Sequence, residues 1–240
     1  MAHNPNHLEW RRIEVDGRSA VYAMAGQEGR SLVFLHGWGL GYRAYKKALR
    51  GLVSLGLKVY APALPGFGGT ADLPSDEFAL PGYADWVATF MKAVEIDQPV
   101  TLVGHSFGGG VAIQTAHDHP SLISKLVVVN SIGGSAWTGE GSTLKTIAER
   151  PLWDWGIHFP ADVLPWRQVT RVLPVILEDA VPNLLRNPGA IWRVAGLARR
   201  ADLTAELEEL KRRRMPVVVL WGENDKVLPR GYMQSLQEAL

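Results

Sequence analysis

The sequence contains no cysteine in its 240 residues. This absence excludes disulfide bonds, thiolate nucleophiles and cysteine-ligated metals, and it leaves the redox compartment undetermined. No other pattern in the chain predicts a metal site or an organic cofactor. A catalytic or binding role must therefore come from the remaining side chains and the backbone.

An excess of charge of either sign is also lacking. Lysine and arginine number 25 against 24 aspartates and glutamates, and the formal net charge of +1 is too small to attract nucleic acid or an anionic membrane. No apolar run approaches the roughly 18 to 20 residues that span a bilayer, and residues 1–12 lack the apolar stretch of a secretory signal. We therefore expect a cytoplasmic protein that binds neither nucleic acid nor membranes, with its oligomeric state left open.

Short β-branched segments alternate along the chain with amphipathic ones. This alternation predicts an α/β fold, with a mostly parallel sheet and helices on both faces. The inner segments are continuous apolar runs, as strands buried on both faces require. The predicted strands cover 12–15, 20–24, 32–35, 58–61, 100–103, 125–129 and 217–221.

Apolar side chains at spacings of three and four predict helices packed on this sheet. The clearest stripe is formed by Tyr83, Trp86, Phe90 and Val94. Further helices are predicted over 43–55, 107–117 and 204–213.

The alternation stops between residues 135 and 200, where prolines are expected to limit any helix to a short piece. The segment predicts a helical cap inserted into a core formed by residues 1–134 and 201–240. Tryptophans are concentrated in it, and whether they line a pocket or only pack is left open. They are Trp137, Trp153, Trp155, Trp166 and Trp192.

The five residues 104–108 read Gly-His-Ser-Phe-Gly, the G-x-S-x-G pattern of a sharp turn that exposes a serine hydroxyl above a sheet. An apolar strand precedes them and a glycine-rich helix follows, which is the context that this turn requires. A phosphate-binding loop is disfavoured because no G-K-[ST] follows the glycines. Ser106 is therefore the candidate nucleophile.

A serine nucleophile needs two hydrogen-bond donors for the oxyanion that forms during attack. The turn supplies one, the backbone N–H of Phe107. The loop after the strand 32–35 is expected to supply the other, and Trp38 is the candidate because Gly37 lets the backbone turn toward the pocket. His36 begins this loop, and a packing or supporting role fits it better than proton transfer.

These segments together resemble the α/β-hydrolase superfamily. The resemblance rests on His36-Gly-Trp-Gly39, Leu64-Pro-Gly-Phe-Gly68, Gly104-His-Ser-Phe-Gly108 and Gly222-Glu-Asn-Asp225, and the first two blocks look especially like pimeloyl-carrier-protein methyl esterases of the carboxylesterase branch. It implies a serine hydrolase acting on a small carboxylic ester or related acyl substrate, with an acyl-enzyme as intermediate. The residues that it assigns are the nucleophile Ser106, the triad acid Asp225, the oxyanion donors Trp38 and Phe107, and the supporting His36, Gly37, Gly104 and Gly108.

The triad acid has one rival, Glu223, in the same loop after the strand 217–221. A site after the preceding strand is a known variant of the fold. It is not open to this chain because Asn130 and Ser131 stand there and carry no carboxylate.

The general base is the residue that the sequence does not supply. Typical element lengths place it roughly 25 to 30 residues after the acid, but the 240-residue sequence holds only 15 residues after Asp225. The last strand and the histidine of the triad are then missing, and we expect residues 1–240 to be nearly inert. His158 in the cap is the one alternative base with a chance of reaching Ser106.

Three functions stay open at this stage. The first is an esterase whose complete form continues past Leu240. The second is a non-catalytic ligand-binding protein that keeps the pocket without the triad. The third is a carbon–carbon hydrolase or cofactor-free haloperoxidase that uses the same serine in a different pocket.

Overall fold

The computed structural model describes residues 7–134, 177–222 and 230–240. Seven strands in these residues form one sheet in the order β1-β2-β4-β3-β5-β6-β7. The strands are β1 (Glu9–Val15), β2 (Arg18–Ala25), β3 (Ser31–Leu35), β4 (Lys58–Pro62), β5 (Val100–His105), β6 (Ile123–Val129) and β7 (Val217–Leu220). Each predicted strand is present, and its bounds differ from the prediction by a few residues at most.

The sheet is parallel from β4 to β7 and antiparallel at β1 and β2. Four of the five residues of β3 are buried, as a central strand covered on both faces requires. The predicted α/β class with a mostly parallel sheet is thus confirmed. Since β3 and β5 are neighbours, their carboxyl ends bring the loop after Leu35 and the turn at Ser106 to the same edge of the sheet.

Helices cover both faces. In chain order they are α1 (Lys46–Ser54), α2 (Leu80–Ala93), α3 (Phe107–Asp118), α4 (the described helical residues 177–186), α5 (Pro188–Arg200), α6 (Thr204–Arg212) and α7 (Arg230–Ala239). The helix predicted over 43–55 is divided, because a 3₁₀ turn at Tyr42–Tyr45 precedes α1. None of the described helices is long and apolar enough to cross a membrane.

The larger core lies between the sheet and helices α2, α3 and α6. The stripe predicted for α2 faces this core: Tyr83, Trp86 and Phe90 are buried, and the Tyr83 ring meets the Phe107 ring edge-on at 5.2 Å. A smaller core on the opposite face includes Leu49 and Val53 of α1. This packing holds the start of α3, next to Ser106, rigidly against the sheet.

The predicted cap is described only in its last part, and residues 135–176 lie outside the described residues. Prolines do not limit every helix of this segment to a short piece, because α5 has 13 residues and begins at Pro188, where the missing N–H costs nothing. Helix α4 also continues through Pro182. The two ends of the insertion meet, since Leu203 donates its N–H to Gly133 O at 2.9 Å.

Candidate active site

Ser106 occupies the bend between β5 and α3. Its backbone has φ 52° and ψ −118°, and a positive φ is uncommon for any residue other than glycine. Hydrogen bonds hold the bend: the Ser106 N–H donates to Val129 O at 3.0 Å, and Ser106 O accepts from the Gly109 N–H at 2.9 Å. The Ser106 side chain makes no capping bond to α3, although it stands at the N-cap position. The strained turn therefore presents a hydroxyl that the helix does not use.

Two glycines allow this bend by close approach of backbone to backbone. A Cβ on Gly104 would overlap the carbonyl oxygen of Gly108, and a Cβ on Gly108 would lie 2.5 Å from His36 O. These neighbours are main-chain atoms and cannot rotate away as a side chain could. Both positions therefore require glycine if α3 is to start in contact with the end of β3.

The loop after β3, residues 36–41 and here the β3 loop, lies against the serine. A Cβ built on Gly37 would be 3.3 Å from Ser106 Cβ and 2.9 Å from His105 Nδ1. Among the described residues, the N–H groups of Trp38 and Phe107 have no hydrogen-bond acceptor. The two predicted oxyanion donors are thus unpaired: Phe107 directly follows Ser106 at the start of α3, and Trp38 directly follows Gly37.

His36 fixes the orientation of one of these donors. Its Nε2 accepts the Leu64 N–H at 2.9 Å, so its proton sits on Nδ1, which donates to Gly37 O at 2.8 Å. The Gly37 carbonyl and the Trp38 N–H belong to one trans peptide plane and point in opposite directions. By holding the carbonyl, His36 directs the Trp38 N–H away from itself. Both ring nitrogens are occupied, and burial lowers the pKa of His36 to about 4, so it cannot act as a base.

His105 is directed away from Ser106 and toward Tyr45. The Tyr45 hydroxyl accepts the Gly37 N–H at 3.1 Å, so its own proton is free to be donated to His105 Nδ1, 2.8 Å away. Burial raises the pKa of Tyr45 and lowers the pKa of His105 to about 4, which keeps both groups neutral. A neutral network therefore joins the β3 loop to the residue that precedes the serine.

The two candidate acids, Asp225 and Glu223, lie outside the described residues. The chain approaches them from the end of β7, where the Gly222 N–H donates to the side-chain oxygen of Asn130 at 3.3 Å. Asn130 directly follows β6, so the segment leading to the acids is held at the edge of the sheet that carries Ser106. The role of Asp225 stays a prediction.

None of the described histidines is hydrogen-bonded to the Ser106 hydroxyl. The two at the end of α3 pair with carboxylates instead, His117 with Asp118 at 2.6 Å and His119 with Asp85 at 2.8 Å. His158 lies outside the described residues. In the described part of the chain, then, no histidine side chain is bonded to the candidate nucleophile Ser106.

A hydroxyl flanked by backbone N–H groups is the arrangement that stabilises the tetrahedral intermediate of acyl transfer. Within residues 7–134, 177–222 and 230–240, no three histidine, aspartate or glutamate side chains converge to form a metal site. A serine hydroxyl beside unpaired N–H groups can attack a carbonyl carbon and have the developing negative charge stabilised.

A family model described as the alpha/beta hydrolase family matches residues 32–239. The chain belongs to this family. The matched region begins in β3 and includes the β3 loop, the Ser106 turn and the predicted acid segment, so the resemblance noted in the sequence is confirmed at the level of the superfamily.

Individual relatives of this α/β hydrolase are distant. An uncharacterized protein of Mycobacterium tuberculosis is 27% identical over 247 residues, which are 94% of this chain and 69% of the relative. A pimeloyl-[acyl-carrier protein] methyl ester esterase of Aromatoleum aromaticum is 27% identical over 220 residues, 82% of this chain and 80% of that protein. The crystal structure of a putative lipase from Acinetobacter baumannii superposes with a TM-score of 0.74 at 20% identity, covering 98% of this chain and 81% of its own. The last match supports the fold alone.

Three polar residues of this hydrolase contact the β3 loop and were not predicted from the sequence: Tyr45, Asp179 and Asn183. The helix predicted over 43–55 includes Tyr45 and gives no indication of its hydrogen bond to Gly37. Asp179 and Asn183 are four residues apart, a spacing that places two side chains on one helix face. Two polar residues at this spacing between apolar residues indicate that a helix has a polar face. They do not indicate that this polar face is buried.

Proposed function

We propose that this α/β hydrolase cleaves small carboxylic esters or related acyl substrates through an acyl-enzyme on Ser106. In this proposal Trp38 and Phe107 donate their N–H groups to the oxyanion, and Asp225 is the triad acid. Residues 135–200 form the cap over a core made by residues 1–134 and 201–240. The observation that carries the proposal is the strained Ser106 turn, which lies so close to Gly37 that a Cβ at position 37 would be 3.3 Å from Ser106 Cβ.

The reaction would begin with attack of Ser106 Oγ on the ester carbonyl carbon. The Oγ–H proton passes to a base, and the carbonyl oxygen becomes an oxyanion that accepts hydrogen bonds from Trp38 and Phe107. Collapse of this intermediate breaks the bond to the alkoxy oxygen, which leaves as the alcohol with the proton from the base. Water then attacks the acyl-serine by the same route and releases the carboxylic acid.

The base is the part of this mechanism that the described residues do not provide. Since neither His36 nor His105 has a free basic nitrogen facing Ser106, we propose that residues 1–240 turn over slowly by themselves. A small imidazole added to the solution is then expected to act as the base.

The test is hydrolysis of p-nitrophenyl butyrate by residues 1–240 with and without added imidazole, each compared with Ser106→Ala. Because free imidazole also cleaves this ester, the quantity of interest is the rate difference between the two proteins at the same imidazole concentration. A positioned base contributes about 10²- to 10⁴-fold, so we expect imidazole to raise the Ser106-dependent rate by about tenfold or more.

Two further outcomes separate the alternatives. A large Ser106-dependent rate without imidazole, lost in His158→Ala and restored by imidazole, would assign the base to the cap. Binding of the ester with no Ser106-dependent turnover at any imidazole concentration would contradict the hydrolase proposal and favour a non-catalytic ligand-binding protein.

A further inference from the structure

Helix α4 has its polar face buried and its apolar face exposed. Asp179 and Asn183 are 8% and 4% exposed, whereas Leu177, Val181 and Leu184 are 43 to 45% exposed. A helix that packs by the hydrophobic effect shows the opposite arrangement. Burying an amide and a carboxylate costs free energy unless their partners are specific, so the contacts of this polar face need an explanation.

Asn183 joins two loops at the carboxyl edge of the sheet. Its Nδ2 donates to Gly39 O at 3.1 Å, with Leu40 O at 3.5 Å, and its Oδ1 accepts the Gly68 N–H at 2.8 Å. Gly39 directly follows Trp38, the proposed oxyanion donor. The amide therefore uses both of its functional groups to fix the β3 loop relative to the loop after β4.

Asp179 holds the other end of the β3 loop. Its Oδ2 accepts the N–H of Gly41 at 3.1 Å and the N–H of Ala44 at 2.8 Å. Asp179 thus acts like the N-cap residue of the 3₁₀ turn, although it belongs to a different helix. These bonds explain why the chain forms a 3₁₀ turn at Tyr42–Tyr45 before α1 begins. They also place Tyr45 so that its hydroxyl meets the Gly37 N–H.

We propose that α4 positions the oxyanion donor, with Asn183 and Asp179 as its positioning residues. This inference rests on the proposed function of Ser106. Trp38 lies between Gly37, held by His36 and Tyr45, and Gly39, held by Asn183, so its N–H can be aimed at the carbonyl only while α4 is in place. The Trp38 ring adds a third contact to this part of the chain, since its Nε1 donates to Ile191 O of α5 at 2.7 Å. The end of the cap is therefore part of the catalytic geometry.

The decisive variant is Asn183→Asp, which keeps the shape of the side chain and the acceptor for Gly68. It places a carboxylate oxygen against Gly39 O, and the repulsion is expected to displace the β3 loop. The matched control is Asn187→Asp, four residues further on. Asn187 donates to Asp72 at 2.9 Å, so this variant also sets a carboxylate against an oxygen, but away from the β3 loop. Aspartate still accepts the Ala190 N–H as an N-cap, so α5 and its contact with the Trp38 ring are kept.

Two measurements are made on residues 1–240 in the presence of imidazole. The first is the rate at which a fluorophosphonate labels Ser106, because the phosphonyl oxygen occupies the position of the oxyanion. We expect Asn183→Asp to lower this rate about tenfold or more, toward the loss seen when an oxyanion donor is removed, and Asn187→Asp to leave it within about twofold. The second is amide hydrogen exchange over residues 37–45, which is expected to accelerate in Asn183→Asp alone.

Two substitutions of Asp179, one conservative and one not, provide a second test. Asp179→Asn keeps an oxygen that can accept both N–H groups and is expected to retain the labelling rate, whereas Asp179→Leu is expected to lose it.

The results also separate this inference from the proposed function. If the unmodified protein shows no labelling at Ser106, the hydrolase proposal fails, and the exchange data still decide whether α4 holds the β3 loop. If Ser106 is labelled at the same rate in Asn183→Asp as in the unmodified protein, or if exchange over residues 37–45 is unchanged, the positioning role of α4 is wrong.

Discussion

Gly108→Ala is expected to destabilise the protein by about 3 kcal/mol or more, at the upper end of what overpacking costs. The added Cβ would lie 2.5 Å from His36 O and closer still to Leu35 O. Both are backbone atoms at the end of the central strand β3, so relief requires α3 to move away from the sheet. Alanine is otherwise the better helix former by about 1 kcal/mol, so helix propensity alone would predict that this substitution stabilises the protein.

Gly51→Ala is the matched control for this substitution. Gly51 lies inside α1, and no atom beyond the neighbouring residues and backbone of its own helix comes within 4 Å of a Cβ built there. This variant is expected to be stabilised by about 0.5 to 1 kcal/mol. Urea unfolding of the three proteins provides the measurement. If Gly108→Ala proves as stable as Gly51→Ala, the close contact between α3 and the β3 loop is not present in solution.

Stability is expected to fall steeply as the pH is lowered from about 6.5 toward 4. Burial lowers the pKa of His36 and of His105 from the ordinary value of 6.5 to about 4. In this range the unfolded chain binds protons that the folded protein excludes, so acid favours unfolding. Each histidine is expected to cost on the order of 2 kcal/mol by pH 5, from about 1.4 kcal/mol per pKa unit. The contribution of these two histidines is fully present above pH 6.5 and is lost in acid.

The measurement is the free energy of unfolding in urea at several pH values from 7 to 5, where the slope gives the number of protons taken up. His105→Gln is expected to reduce the slope by about one proton. A stability that does not change between pH 6.5 and 5 would mean that the two imidazoles are not buried as neutral groups.

The strands and the Ser106 turn could be predicted because each has a local signal. Continuous apolar runs such as Leu32–Leu35 mark strands buried on both faces, and the glycines at 104 and 108 mark a bend that no other residue allows. The β3 loop and Ser106 could be expected at one edge because a G-x-S-x-G turn takes its second oxyanion donor from the loop after an earlier strand. The structure shows β3 paired with β5.

The supporting contacts could not be predicted because they join residues far apart in the chain. The bond from Asn183 to Gly39 spans 144 positions, and that from Trp38 to Ile191 spans 153. No pattern near either residue identifies its partner. Asn183 lies in the segment interpreted as a proline-limited cap, where a buried polar face on a helix is contrary to the usual amphipathic pattern.

The 3₁₀ turn before α1 illustrates the same limit. Residues 43–55 have a helical pattern, and Leu49 and Val53 of α1 are buried in the structure. It cannot show that Asp179, from another part of the chain, binds the N–H groups of Gly41 and Ala44 and tightens the first turn. Tertiary contacts of this kind override local propensity.

The central claim is that Ser106 is a nucleophile presented by a strained turn, and covalent labelling tests it most directly. Residues 1–240 are treated with a fluorophosphonate in the presence of imidazole, digested with trypsin and analysed by mass spectrometry, in parallel with Ser106→Ala. We predict a single adduct in the peptide 93–125, located on Ser106 and absent from the variant. An unmodified peptide 93–125 after prolonged treatment, or an adduct that persists in Ser106→Ala, would contradict the claim.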